Sequence, residues 1–86
     1  MKYEYDENKS KSNKEKHSID FEEAKALWND DRMVEIETSY ENETRFISIG
    51  KIKTKFYTIV TTYRGDKIRI ISARRSRKKE IEIYES

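Results

Sequence analysis

The chain has no cysteine and no proline, and only two glycines, Gly50 and Gly65. Without thiols, a disulfide framework, a thiolate metal centre and a cysteine nucleophile are all excluded. The single histidine, His17, leaves too few ligands for a zinc centre of the usual nitrogen and sulfur type. Two isolated glycines cannot build a phosphate-cradling loop. Apolar runs are also short: none approaches the roughly 18 to 20 residues that cross a membrane. The charged start Met1-Lys2-Tyr3-Glu4-Tyr5-Asp6 lacks the apolar stretch of a signal peptide, so the expectation is a cytoplasmic protein without membrane contact. Eighty-six residues allow one domain, spanning 1–86, with a small core. Hydrophobic residues make up only 34% against 42% charged, yet the ten aromatics argue for a folded chain.

Charge is plentiful but segregated. Residues 20–43 carry nine acids against two bases. Residues 64–79 carry eight bases (Arg64, Lys67, Arg69, Arg74, Arg75, Arg77, Lys78, Lys79) against Asp66, and residues 9–17 add four lysines against Glu15. A basic segment of this kind is the electrostatic footprint of a polyanion ligand if it folds onto one face; otherwise it is a solvated surface.

Local patterns predict an α+β domain of order β-α-α-β-β-β-β-α, an antiparallel sheet with helices packed on it. Lys2 to Tyr5 alternates like a short strand, and Asp6 to Lys16 contains nothing that opposes a helix, although it has no apolar stripe. Asp20 followed by Glu23 is a reciprocal helix cap, with Ile19 before it and Phe21, Ala24, Leu27 and Trp28 as an apolar face. Asn29-Asp30-Asp31 ends that helix. A strand is expected near 33–38, then a polar connection over Ser39 to Thr44. Strands Arg45 to Lys53 and Lys55 to Tyr63 follow, then a tight turn at Arg64-Gly65-Asp66 and a strand over Lys67 to Arg74. Ser76 is placed to cap a last helix through Glu85, with Ile81 and Tyr84 toward the sheet.

On the first helix, Lys9, Asn13, Lys16 and His17 fall at i, i+4, i+7 and i+8 and share a face suited to phosphate; the alternative is a merely solvated helix. His17 is the one side chain whose type exchanges protons near neutrality. In the last hairpin, Arg64 sits at the turn, and strand alternation sends Arg69 and Arg74 to opposite faces. Guanidinium groups suit phosphodiester chemistry because they bind two phosphate oxygens at once and stay charged as a phosphorane gains negative charge. The alternative is that these arginines pair with the glutamate-rich segment. Asp30-Asp31 with Glu35 or Glu37 offers oxygen ligands for a divalent ion, but acidic turns are usually only solvated. What remains is handling of a polyanion with neither metal nor cofactor.

Three stretches carry a resemblance. They are Lys9-x3-Asn13-x2-Lys16-His17 with Ile19-x-Phe21-Glu22, then Glu43-x-Arg45-Phe46-Ile47-x-Ile49-Gly50, and Arg64-Gly65-x2-Ile68-Arg69-Ile70-Ile71-Ser72-Ala73-Arg74 followed by Glu80-x3-Tyr84. Together they resemble the BrnT family of toxins of bacterial type II toxin-antitoxin systems. Tyr5, Lys14, Ser18 and Thr61 stand where that family has a tryptophan, an apolar residue, a glycine and an aromatic. The resemblance implies a RelE-like ribonuclease fold, an RNA substrate, growth inhibition and a BrnA-type antitoxin partner. In an endoribonuclease of that kind the RNA's own 2′-hydroxyl attacks phosphorus. The protein then supplies His17 as acid or base, with Lys16, Arg64 and Arg74 on the phosphorane and Lys9 and Asn13 along the backbone. Arg69 and Arg75 are further RNA-binding candidates. Glu80 and Tyr84 serve either substrate contact or the seating of the last helix. A non-catalytic nucleic-acid-binding module and a protein-interaction domain are the competing readings.

Overall fold

A computed structural model describes residues 2–86. The chain forms β1 (Lys2–Glu4), α1 (Glu7–His17) and α2 (Phe21–Ala24), which runs on as a 3-10 segment over Lys25–Asn29. It continues through β2 (Val34–Tyr40), β3 (Glu43–Ile52), β4 (Lys55–Arg64), β5 (Lys67–Arg75) and α3 (Lys78–Glu85). The architecture is α+β, with one five-stranded sheet of order β1-β5-β4-β3-β2.

Local chemistry explains the helix starts. Asp6 caps α1 by accepting from the backbone N–H groups of Asn8 and Lys9. Asp20 and Glu23 form the reciprocal cap of α2, at 2.7 and 2.9 Å. Phe21, Ala24 and Leu27 are buried beneath it with Ile19, against Ile59, Ile70 and Ala73 of the sheet. Gly50 lies under this helix because a Cβ there would stand 3.0 Å from Leu27 Cδ1.

The sheet is mixed, not antiparallel throughout. β1 runs parallel to β5, with Tyr3 opposite Ile68, while the other neighbours are antiparallel. A three-residue strand alternates the same way whichever neighbour it finds, so its pattern holds no information on direction. The polar connection expected over Ser39 to Thr44 shrinks to Glu41 and Asn42, both at positive φ. β2 and β3 thereby extend to meet across a two-residue hairpin. Ser76 does not cap the last helix. Arg77 holds that position, and the Ser76 hydroxyl bonds Thr58 at 2.8 Å.

One irregularity alters the reading of the last hairpin. Val60 pairs with Ser72 but Thr61 with Ile70, so Ile71 is an extra residue, a β-bulge. The bulge flips parity beyond it. Ile68, Ile70 and Ala73 all face the helices, and Arg69 and Arg74 therefore lie on the same opposite face, not on opposite faces as strict alternation predicts.

Candidate active site

α1 carries almost no apolar surface and docks through polar bonds instead. Ser10 and Asn13 are its only buried residues. The Ser10 hydroxyl accepts from the Phe21 N–H at 2.9 Å. The Asn13 amide donates to the carbonyls of Ile19 and Ala73, at 2.7 and 2.8 Å, and accepts from the Ala73 N–H at 3.3 Å. β1 covers β5 only over residues 67–69. Beyond that point the edge of β5 is open, and Asn13 satisfies both backbone groups of Ala73 as a further strand would. Asn13 thus turns inward from the row with Lys9 and Lys16, both of which stay exposed. Burying a cation without a partner costs far more than burying an amide that finds three.

Two of the departures from the resemblance have local partners or geometry. Lys14, in place of an apolar residue, pairs with Glu23 at 2.8 Å, and this bond raises the lysine's pKa and lowers the glutamate's. Ser18 ends α1 in the left-handed region (φ 62°, ψ 19°), where glycine is the least strained residue.

β1 ends opposite Arg69 and Asn13 meets Ala73, so α1 advances in the same sense as β5. His17, one turn past Asn13, therefore reaches the Arg75 end of the hairpin. The neighbouring Ser18 lines a depression there with Lys53, Lys55 and Tyr57. Arg75 stands over the Tyr57 ring, 5.8 Å from its centroid. His17, Lys16, Arg75, Lys53 and Lys55 are all exposed, so one end of the molecule presents the cations of α1, of the end of β5 and of the β3–β4 turn. The sequence signal for the last of these is the alternation of Lys51, Lys53 and Lys55 before Phe56-Tyr57, which lies outside the basic segments 9–17 and 64–79.

Arg74 lies on the other face. Its guanidinium holds the Glu80 carboxylate with two bonds of 2.8 and 2.7 Å; that carboxylate also accepts from Thr58 at 3.0 Å and the Arg77 N–H at 2.7 Å. The ion pair, helped by these donors, pulls the Glu80 pKa down to about 2 and raises that of Arg74. Tyr84 donates to Asp30 at 2.8 Å, and Asp30 also accepts from the Lys51 and Arg32 N–H groups. The contacts of Glu80 and Tyr84 thus seat α3, and the Asp30 carboxylate is occupied by three donors. Arg69 is bound to Glu4 at 2.8 Å. Arg64 is exposed at the β4–β5 turn, six residues along β4 from the partner of Arg74, or about 20 Å at strand rise.

The expected cationic centre is therefore divided. His17, Lys16 and Arg75 gather at one end, Arg74 sits there on the α3 side with its charge paired, and Arg64 stands at the far end of the sheet. An exposed imidazole among free cations can exchange protons beside a phosphate and stabilise added negative charge.

Among the described residues, no helix is long and apolar enough to cross a membrane. No curated protein matches the chain. Residues 5–80 match the family model described as the ribonuclease toxin BrnT of type II toxin-antitoxin systems, a span covering α1, the cationic end and every strand of the sheet except β1. An RNA substrate and a protein antitoxin follow from that description, and the chain belongs to the BrnT family of ribonuclease toxins.

Proposed function

We propose that the chain is a metal-independent endoribonuclease of RelE-like fold that cleaves RNA by attack of the 2′-hydroxyl on the adjacent phosphorus. It acts in the cytoplasm to inhibit growth and is neutralised by a BrnA-type antitoxin. The observation that carries this reading is the exposed His17 at the C-terminal end of α1, beside Lys16, on a helix whose Asn13 is bonded to Ala73 of β5. His17 serves as general acid or base. Lys16 offsets charge on the phosphorane, while Arg74, paired with Glu80 on the other face, holds α3. Lys9, Arg64, Arg69 and Arg75 hold the RNA backbone, and the separation of Arg64 from Arg74 suits a strand laid along the sheet.

Incubation of the purified protein with RNA in EDTA tests this directly. The expected products carry 2′,3′-cyclic phosphate ends, and His17→Ala lowers the cleavage rate at least about tenfold while its melting curve is unchanged. A gel shift without cleavage would assign the chain to binding alone, and a folded His17→Ala variant with full activity would remove His17 from the chemistry.

A further inference from the structure

The depression at the end of α1 has the features of a nucleobase site. It encloses about 400 Å³. It is lined by the apolar side chains of Ile19, Ala26 and Ile52 and by Tyr57, which is half-buried against the core. Lys53 and Lys55 line it as well and are both exposed. The one acid lining it, Glu23, already accepts from Lys14 and from the Asp20 N–H, so its charge is offset. None of the five salt bridges found among the described residues involves Lys53 or Lys55. An apolar slot lined by an aromatic ring and by unpaired, exposed cations matches one chemistry well: a flat base in the slot with its phosphates on the lysines. A hydrophobic side chain from a protein partner would fill the slot but leave the lysines without counter-charge.

We propose that this slot holds one nucleobase of single-stranded RNA, packed against Tyr57 beside Arg75, with its flanking phosphate on Lys53 and Lys55. The strand is thereby positioned next to His17. The inference rests on the ribonuclease reading above and adds a specificity-determining subsite to it.

A 2′-O-methyl RNA octamer tests the proposal, because it keeps bases and phosphates but has no free 2′-hydroxyl and cannot be cut. Titrated into the isotope-labelled full chain, it is expected to shift the amide signals of Ser18, Ala26, Thr54 and Tyr57. Two folded variants should bind it at least tenfold more weakly: Lys53→Glu with Lys55→Glu, which reverses the lysines' charge, and Ala26→Leu, which fills the slot without changing charge. An abasic octamer of the same length should shift the lysines' turn but not Ala26. Wild-type affinity in Ala26→Leu, equal binding of the abasic octamer, or shifts confined to the Arg64 end would overturn the base site. So would tight binding of the antitoxin alone at these residues. Octamer binding at the slot with no cleavage of ordinary RNA would leave the site standing and defeat the ribonuclease reading. Normal cleavage by both variants would do the reverse.

Discussion

Replacing Asn13 by alanine should unfold much of what α1 contributes, because that helix has no apolar face to hold it. The substitution removes two donors and one acceptor. It strands the carbonyls of Ile19 and Ala73 and the N–H of Ala73, all in a position where Asn13 itself is only 7% exposed. An unmet buried polar group costs about 1 to 3 kcal/mol, and water entering the vacated volume recovers part of it, so the loss should be about 2 to 4 kcal/mol. For a domain of this size that corresponds to a fall in melting temperature of at least about 10 °C. In urea the midpoint should drop by about 2 M or more with an unchanged slope, taking about 1 kcal/mol/M. Asn13→Asp gives a sharper signature. It keeps the acceptor for Ala73 but aims a carboxylate at two carbonyls, so it should be at least as damaging at neutral pH and regain stability as the pH falls and the carboxyl protonates. Lys9→Ala, on the exposed side of the same helix, should stay within about 0.5 kcal/mol of wild type. An Asn13→Ala protein melting within 2 or 3 degrees of wild type (about 0.5 kcal/mol) would refute the view that this amide completes the edge of β5.

Glu80 predicts an acid limb of stability. Its carboxyl titrates at about 2 when folded against 4.5 ordinarily, so its contribution is complete above about pH 4.5 and is lost as the pH falls toward 2. The pair is mostly shielded, with the Glu80 side chain 17% exposed, and the shift corresponds to about 3 kcal/mol. Melts of Glu80→Gln across pH 2 to 7 should be lower at neutral pH and flatter below 4.5; parallel curves for the two proteins would exclude this pair as the cause. Ser18→Gly should raise stability by about 0.5 to 1 kcal/mol, since the left-handed cap then carries no Cβ, and an unchanged or lower melting temperature would show that Ser18 sits there without strain.

Much of the local structure was legible because it depends on neighbours within a few residues. The Asp20 and Glu23 cap needs only a three-residue spacing, and the apolar stripe of Phe21, Ala24 and Leu27 needs only a helical period. Alternation located all four long strands, though it fell short at their ends because the Glu41-Asn42 hairpin looked like a longer polar connection. The first helix was legible as a helix but not as a docked one. Its bonds run to Ile19 and Phe21 beyond the helix and to Ala73, sixty residues on, and a serine and an asparagine give no hydrophobic signal.

The candidate site shows where that limit falls. Residue types alone selected a polyanion-binding chain and marked His17 and the arginines, because chemical identity survives any fold. Which of them meet was decided elsewhere: by one extra residue at Ile71 that turned Arg74 to the α3 face, by Glu80 arriving from a later helix to pair with it, and by the length of β4, which carries Arg64 to the opposite end. Helix caps and strand alternation arise from short-range sterics and hydrogen bonds that each segment carries with it. The grouping of cations depends instead on backbone edges and registers that exist only once the segments have paired, and so only the assembled sheet decided it.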